Sequence, residues 1–211
     1  CIVRFCFKES MFHIFLSSIV YTWMNKTRRH NKKQKVYNEQ DYTSNDGMLT
    51  TVWGPPMWHV LHTMSFNYPV QPTEKTKKKY FEYIQLLRYT LPCGKCRENL
   101  KKNFKKLPLH MKHMKSRESF SKYVYDLHEL INVMLGKKSG LSYDDVRERY
   151  EHFRSRCNTT KRKKELKKKI EDGCTEPLVG EKAKCVLQIL PKTKKCETFQ
   201  MDKRCEKIRK I

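Results

Sequence analysis

Apolar residues between positions 53 and 156 recur every three or four positions, the spacing that places side chains along one face of an α-helix. Five such segments follow one another along the chain. We predict that the first begins at Pro55 and Pro56, because proline is tolerated in the first turn of a helix. Apolar and polar residues alternate convincingly nowhere, so the pattern predicts no β-strand.

The predicted helix boundaries coincide with prolines, glycines and residues that cap helix ends. Prolines end the first three helices and glycines end the fourth, and a serine-to-aspartate capping box opens the fifth. In chain order these residues are Pro69 and Pro72, Pro92, Pro108, Gly136 and Gly140, and Ser142 with Asp145. The second, third and fourth helices are predicted to begin near Thr73, at Cys93 and near Ser116. Five helices in so short a stretch predict an all-α fold, a compact helical bundle.

The regions on either side differ from this central segment. Residues 1–50 form a predicted leader, in which the uncharged stretch 10–25 is short for a membrane-spanning helix. We expect this stretch to be translated sequence upstream of a start at Met24, with a weak anchor or a degenerate signal as the alternatives. Residues 51–157 form the predicted folded domain, and residues 158–211 form a basic, cysteine-containing extension without an obvious core.

Lysine and arginine outnumber aspartate and glutamate by 46 to 22, which gives the chain a net charge of +24. A charge of this size favours contact with nucleic acid, anionic membranes or acidic proteins. The excess is spread along the whole chain, and no zinc-finger spacing, RNA-recognition motif or Gly-rich phosphate loop accompanies it. We therefore expect at most nonspecific contact with nucleic acid. A membrane anchor is the minority interpretation of the leader.

Cys93 and Cys96 form a Cys-x-x-Cys motif directly after a proline, at the predicted start of a helix. This spacing allows the two sulfurs to close a disulfide within one helical turn. The helix N-terminus and the adjacent Lys95 and Arg97 favour a thiolate, which lowers the thiol pKa. The pair is therefore predicted to exchange disulfides with other thiols.

Two other assignments of this motif are open. The pair is half of a zinc site if His110 and His113 complete it, although their spacing is short for a zinc finger. A thioredoxin-like fold also carries such a motif, yet it needs a strand before the motif, and residues 80–91 have helical spacing instead. We favour a redox pair in an all-helical setting.

Aromatic and imidazole side chains form two pairs at helical spacing. Trp58 and His62 are four residues apart, as are His128 and Asn132, so each pair shares one helix face. Core packing explains a lone histidine, but two such pairs beside a dithiol suit a large planar ligand that needs stacking surface and a few hydrogen bonds. Lys137, just past a predicted helix end, is a candidate for contact with a ligand phosphate, or else a solvated lysine.

Three motifs in this order resemble the Erv/ALR family of sulfhydryl oxidases. Residues 53–62 (WGPPMWHVLH) with the Tyr-Pro at 68–69 resemble its opening W-G-x-x-x-W-x-x-L-H…Y-P, and residues 91–96 (LPCGKC) resemble its active-site P-C-x-x-C. Residues 128–137 (HELINVMLGK) resemble its flavin motif H-N-x-V-N-x-x-L-x-K, with Glu129 in place of an asparagine. The short interval and the lysine-rich composition look most like the compact versions carried by large DNA viruses.

The resemblance implies a four-helix bundle with a short fifth helix, which binds FAD noncovalently and usually forms a homodimer. It implies that Cys96 is the sulfur next to the flavin and that Cys93 exchanges with dithiol protein substrates, a thioredoxin-like carrier among the candidates. Electrons then pass through FAD to dioxygen and give hydrogen peroxide. The residues implied to hold the cofactor are Trp58, His62, His128, Asn132 and Lys137, with Trp53, Gly54 and Tyr150 in addition.

Five further cysteines lie outside the resemblance, at Cys157, Cys174, Cys185, Cys196 and Cys205. Their spacing predicts two structural disulfides, in preference to an electron-carrying shuttle pair, whose cysteines usually lie closer together. A four-cysteine zinc site is the third alternative, because no Cys-x-x-Cys pair occurs in this region.

Three functions therefore compete. The leading hypothesis is a FAD-dependent thiol oxidase that forms disulfide bonds in substrate proteins. The alternatives are a basic, zinc-containing helical module that contacts nucleic acid, and a dithiol carrier without flavin. The absorption spectrum distinguishes them, because a bound flavin absorbs visible light whereas zinc and a bare dithiol do not.

Overall fold

The structure, a computed structural model, describes residues 38–158, 173–178, 181–191, 193–194 and 200–206. Its α-helices are α1 Glu39–Thr43, α2 Thr50–Phe66, α3 Glu74–Thr90, α4 Gly94–Lys106, α5 Arg117–Met134 and α6 Tyr143–Glu151. Short 3-10 turns lie at Met111–Met114 and Lys203–Cys205, and the strands are β1 Ser155–Asn158 and β2 Gly173–Pro177. Every helix of the described part of the chain is too short or too polar to span a membrane.

The chain divides between Asp46 and Gly47 into two units, of which the second contains α2 to α6. The first unit contains α1, which buries none of its side chains. In the second, α2 packs against α5 and α3 packs against α4, while α6 lies against α2 and α5. The predicted all-α bundle of four helices and a short fifth is therefore confirmed.

A single cluster of buried apolar side chains fills the interior of this bundle. Each of its four long helices contributes, and so does the connection between α4 and α5. The members are Leu61, Tyr68, Ile84, Leu87, Leu100, Phe104, Leu109, Met114, Phe120, Tyr123, Val124 and Leu127. Burial of these side chains is the main source of the stability that holds the site residues in place.

The first helix of the bundle begins earlier than its prolines predicted. α2 starts at Thr50, more than one turn before Pro55, so the predicted start was wrong. The indole nitrogen of Trp53 donates to the carbonyl of Met48 at 3.0 Å, which stabilises the added turn. Proline has no backbone N–H, so Pro55 and Pro56 leave two carbonyls of that turn without a helical donor. The turn is exposed to solvent, and water can donate to these carbonyls instead.

The other four predicted helix starts are confirmed. At each of them the N-cap side chain accepts a hydrogen bond from a backbone N–H three residues later, and these residues are Thr73, Cys93, Ser116 and Ser142. Ser142 also forms the predicted capping box with Asp145. Gly136 and Gly140 follow α5 with φ values of 66° and 68°, the left-handed conformation that ends many helices.

A two-stranded antiparallel ribbon follows α6, so the prediction that the chain has no strand was wrong. Ser155 of β1 pairs with Pro177 of β2, and Arg156 pairs with Glu176. Both strands are short and lack alternation. Their pairing joins segments far apart in the sequence, which local periodicity does not reveal.

The cysteines of the extension also differ from expectation. Cys174 is disulfide-bonded, whereas Cys185 and Cys205 are free thiols, and Cys196 lies outside the described residues. With two of these five cysteines free, three remain, and three can form only one pair among themselves. The prediction of two disulfides within this group was therefore wrong, because sequence spacing does not report which Cα atoms approach closely enough to be bridged.

Tyr68 joins the end of α2 to the start of α5. Its side chain is fully buried, and its hydroxyl donates to the carbonyl of Met114 at 3.0 Å. Its ring contacts Tyr80 and Phe120 edge to face, with ring centroids 4.8 and 5.0 Å apart. The guanidinium of Arg117 donates to its backbone carbonyl at 2.6 Å. The Tyr-Pro of the opening motif thus has a structural role.

We expect Tyr68→Phe to lower the free energy of unfolding by about 1–2 kcal/mol, because the buried Met114 carbonyl loses its donor while the ring packing is kept. Urea unfolding measures this change. The control is Tyr89→Phe, whose side chain is 57% exposed, and it should leave the midpoint unchanged. Equal midpoints for both variants would contradict this account.

Candidate active site

Cys93 and Cys96 are joined by a disulfide at the start of α4, with their Cα atoms 5.1 Å apart. Cys93 is the N-cap, and its sulfur accepts a hydrogen bond from the backbone N–H of Cys96 at 3.2 Å. The unpaired N–H groups and the positive dipole end of a helix favour negative charge at this position. Reduction of the disulfide would therefore place the Cys93 thiolate at a helix N-terminus.

The two basic residues beside the disulfide are directed elsewhere. Lys95 is exposed and pairs with Glu98 at 3.6 Å. The guanidinium of Arg97 donates to the carbonyl of Leu91 at 2.5 Å, which holds the turn that precedes the helix. Both side chains are therefore bonded to groups other than the two sulfurs.

The segment before α2 and the first residue of that helix, Thr50, lie against the active-site turn, a contact that sequence reasoning missed. The backbone N–H of Met48 donates to the carbonyl of Pro92 at 2.9 Å. The hydroxyl oxygen of Thr50 lies 3.7 Å from the sulfur of Cys96, within hydrogen-bonding distance for sulfur. No local pattern in the sequence marks either residue, because the contact joins positions far apart in the chain.

A ridge of α2 leads from Cys96 towards the aromatic residues of the opening motif. Thr50, Gly54, Trp58 and His62 follow one another at four-residue intervals, which places them along one ridge of the helix. A Cβ added at Gly54 would contact only the methyl group of Thr50, at 3.7 Å. The ridge is therefore open at Gly54, between the contact with Cys96 and the indole of Trp58.

Trp58, His62 and His128 form the centre of an aromatic and imidazole cluster. The ring of Trp58 stacks on that of His128, with centroids 3.9 Å apart and planes 6° from parallel. Nε2 of His62 and Nδ1 of His128 are joined by a hydrogen bond of 2.9 Å between α2 and α5. Nδ1 of His62 is buried and has no hydrogen-bond partner among the described residues. A polar nitrogen is therefore left over for a ligand.

Tyr150 of α6 closes one side of this cluster. Its ring lies 5.3 Å from that of His62 and stacks at 5.5 Å on Phe66. Its hydroxyl lies 3.3 Å from Nδ1 of His59. Burial raises the pKa of Tyr150, so the phenol keeps its proton in this contact. His59 was missed at the sequence level, although its three-residue offset from His62 is a helical spacing.

Both central histidines are neutral at neutral pH. Burial, followed by the nearby His128 and His59, lowers the pKa of His62 to about 3. Burial is also the largest cause that lowers the pKa of His128, to about 4, opposed by Glu129 and assisted by Lys137. Each ring therefore offers one N–H donor and one bare nitrogen acceptor.

The remaining predicted site residues lie at the two ends of the cluster. The amide of Asn132, one turn beyond His128 on α5, donates to the carboxylate of Glu129 at 2.9 Å. The backbone N–H of Lys137 donates to the carbonyl of Asn132 at 2.8 Å. The positive charge of the Lys137 side chain lowers the pKa of His128. Trp53 precedes Gly54 on α2, with its indole N–H bonded to a backbone carbonyl. Every residue predicted to hold the cofactor therefore lies in or beside the cluster, or on the α2 turn that leads to it.

The zinc alternative has no support in the described residues. No three of their histidine, cysteine, aspartate or glutamate side chains gather where they could hold a metal ion. Nδ1 of His113 instead accepts a hydrogen bond from the backbone N–H of His110 at 3.0 Å. The ring of His113 stacks on Tyr123 with centroids 4.7 Å apart.

Comparison with known proteins adds independent findings. The family model described as the Erv1 / Alr family matches residues 55–168. The protein named "Probable FAD-linked sulfhydryl oxidase R368" of Acanthamoeba polyphaga mimivirus is 38% identical over 99 residues, which are 47% of this chain and 68% of that protein. The FAD-linked sulfhydryl oxidase of African swine fever virus is 28% identical over 99 residues, 47% of this chain and 80% of that protein. The Arabidopsis thaliana FAD-linked sulfhydryl oxidase ERV1 is 32% identical over 84 residues, 40% and 42% of the two chains.

We expect the protein to lose stability as the pH falls from 7 to 5. Unfolded histidines take up protons near pH 6.5, whereas folded His62 and His128 stay neutral down to about pH 3 and 4. The unfolded state therefore binds more protons in this window, and each residue removes about 1–2 kcal/mol of stability by pH 5. Urea unfolding at pH 7, 6 and 5 measures the slope.

The double variant His62→Gln and His128→Asn should have a shallower dependence of stability on pH than the unmodified protein. The control is His110→Gln, whose side chain is exposed, and it should keep the original slope. A double variant with the same slope as this control would show that the two buried imidazoles do not cause the pH dependence.

Proposed function

Because the chain belongs to the Erv1/Alr family, as its three motifs predicted, we propose that it is a FAD-linked thiol oxidase whose reactive pair is Cys93–Cys96. The enzyme oxidises dithiols in substrate proteins to disulfides and uses dioxygen as the final electron acceptor. The observation that carries this proposal is the position of the disulfide. It opens α4, and its Cys96 sulfur faces the α2 ridge that leads to Trp58 and His62.

The residues of the cluster fit a flavin. A flat, fused ring system needs a planar surface for stacking, and Trp58 and His128 provide parallel rings. It also carries polar ring atoms, and the buried Nδ1 of His62 lacks a partner. The open position at Gly54 provides room on the side that faces the disulfide. These three features are independent of one another.

We assign the parts of FAD to the chain by charge and shape. Trp58, His62 and His128 would hold the ring system, and Tyr150 adds an aromatic face beside them. Lys137, just after the end of α5, would meet a phosphate, since its charge lowers the pKa of His128 in the cluster. When bound, FAD would accept the two electrons of the reduced cysteine pair, so that the disulfide forms again, and would transfer them to dioxygen to give hydrogen peroxide.

Three further residues are assigned supporting roles towards the cofactor. Trp53 and Gly54 would shape the approach from the disulfide, because they form the turn of α2 between Thr50 and Trp58. Asn132 would contact the cofactor through its amide, which Glu129 now orients by accepting one of its hydrogens.

The thiol chemistry follows from the placement of the two sulfurs. A substrate thiolate attacks the sulfur of Cys93, the bond between Cys93 and Cys96 breaks, and Cys96 leaves as a thiolate. The second substrate thiolate then attacks the substrate sulfur bound to Cys93, which releases the substrate disulfide and the Cys93 thiolate. The substrate loses two electrons and two protons, and the cysteine pair gains the electrons. The helix N-terminus stabilises the Cys93 thiolate formed in the second step.

The partners of this reaction follow from the same chemistry. The substrates are dithiol proteins, and we propose a thioredoxin-like protein as one carrier. The net charge of +24 favours acidic partners among them. We also propose that the oxidase acts as a homodimer.

Oxygen consumption with a small dithiol tests the assignment of the sulfurs. Cys93→Ser and Cys96→Ser should each reduce the rate to the background of free flavin, because neither variant can form the disulfide. The matched control is Cys185→Ser, which removes an exposed free thiol and should retain full activity. Unchanged turnover in Cys96→Ser would refute the assignment.

Flavin binding tests the cofactor site separately from turnover. We expect His128→Ala to weaken FAD binding about 10-fold, because it removes one of the two stacked rings, an interaction of about 1 kcal/mol, and one end of the hydrogen bond to His62. Titration of FAD followed by flavin fluorescence measures the Kd. His110→Ala serves as the control, and equal affinities in the two variants would place the cofactor elsewhere.

A further inference from the structure

The backbone of residues 47–50 passes unusually close to the redox disulfide. A Cβ added at Gly47 would lie 2.9 Å from the carbonyl oxygen of Pro92 and 3.1 Å from Cα of Cys93. Both neighbours are backbone atoms, so they cannot move aside as the end of a side chain can. Glycine is therefore the residue that permits this approach.

Hydrogen bonds on both sides of Met48 hold the segment in this position. Its N–H donates to the carbonyl of Pro92 at 2.9 Å, and its carbonyl accepts from the indole N–H of Trp53 at 3.0 Å. The segment is thus tied at one end to the active-site turn and at the other to the first turn of α2. Thr50, two residues after Met48, is placed by these bonds with its hydroxyl 3.7 Å from the Cys96 sulfur.

The hydroxyl and the sulfur interact differently in the two redox states. A disulfide sulfur is a weak acceptor, whereas a thiolate carries a full negative charge and only accepts hydrogen bonds. The Thr50 hydroxyl, which rotates freely about its C–O bond, must then donate. The hydrogen bond is therefore stronger after the disulfide has opened than before.

From this geometry we propose that the Thr50 hydroxyl stabilises Cys96 as a thiolate and so makes it the better leaving sulfur when a substrate thiolate attacks Cys93. The inference rests on the proposed thiol oxidase function and assigns a further residue to its first step. In that step the electron pair of the S–S bond moves to the Cys96 sulfur, a bond forms between Cys93 and the substrate, and no proton is transferred. Thr50 donates only a hydrogen bond.

The charged groups around Cys96 do not perform this role. On α4, Lys95 is paired with Glu98, and Arg97 donates to the carbonyl of Leu91. The segment from Gly47 to Trp53 that faces the sulfur contains no ionisable residue. The backbone N–H of Cys96 is directed to Cys93. Thr50 is therefore the side chain whose hydrogen bond is directed at the Cys96 sulfur among the described residues.

The pH dependence of alkylation of Cys96 tests the proposal without any turnover. In the FAD-loaded Cys93→Ser protein, iodoacetamide labelling of the Cys96 peptide is followed by mass spectrometry from pH 5 to 10. We expect Thr50→Val, which keeps the shape of the side chain, to raise the midpoint of labelling by about 0.5–1 pH unit. Thr50→Ser, which keeps the hydroxyl, should retain the original midpoint.

A second variant tests whether the approach of the segment is the cause. Gly47→Ala keeps the Thr50 hydroxyl but forces the backbone away from Pro92 and Cys93, so it should raise the midpoint as Thr50→Val does.

In the enzyme with both cysteines, Thr50→Val should lower kcat/KM for a dithiol about 3–10-fold while its melting temperature stays unchanged, since the residue is exposed.

An unchanged midpoint in Thr50→Val, or equal shifts in Thr50→Val and Thr50→Ser, would overturn the proposal. The labelling experiment reports only the thiol of Cys96 and needs no oxidase activity. Failure of the proposed function would instead appear as full oxygen consumption by Cys96→Ser, so the two failures are distinguishable. The role of Thr50 is supported if Thr50→Val and Gly47→Ala both raise the midpoint of labelling while Thr50→Ser keeps the original midpoint.

Discussion

The hydrogen bond between the buried imidazoles of His62 and His128 joins α2 to α5 at the centre of the site. Burial keeps both rings neutral, so one ring donates in this bond and the other accepts. The same bond fixes the plane of His128, on which Trp58 stacks. A single interaction thus orients the flat surface that we propose for the flavin and links α2 to α5.

The two sulfurs of the disulfide differ because a helix begins between them. Cys93 caps α4 and its sulfur accepts a hydrogen bond from a backbone N–H, while Cys96 lies in the first turn and faces Thr50 at the start of α2. In the proposed reaction, attack by the substrate and electron transfer towards the cluster therefore involve different sulfurs with different surroundings. The basic residues beside the disulfide, Lys95 and Arg97, are bonded to Glu98 and to the carbonyl of Leu91.

Predictions from the sequence were accurate where the signal was local. The side chains of Thr73, Cys93, Ser116 and Ser142 cap helix starts through hydrogen bonds within one turn, and each of these starts was predicted, with the capping box identified at Ser142. The start of α2 was misplaced because Trp53 bonds to Met48 and overrides the preference of the prolines. The ribbon was missed because β1 and β2 stabilise each other and neither has a pattern of its own.

The sequence by itself determined the helical class, the order of the helices and the redox motif, because periodicity, caps and the Cys-x-x-Cys spacing are properties of neighbouring residues. Only the tertiary structure decided that Trp58 stacks on His128, that Tyr150 approaches His62 and that Thr50 contacts Cys96. These contacts join residues far apart in the chain. Their geometry depends on how the apolar faces of the helices pack together, which no local pattern specifies.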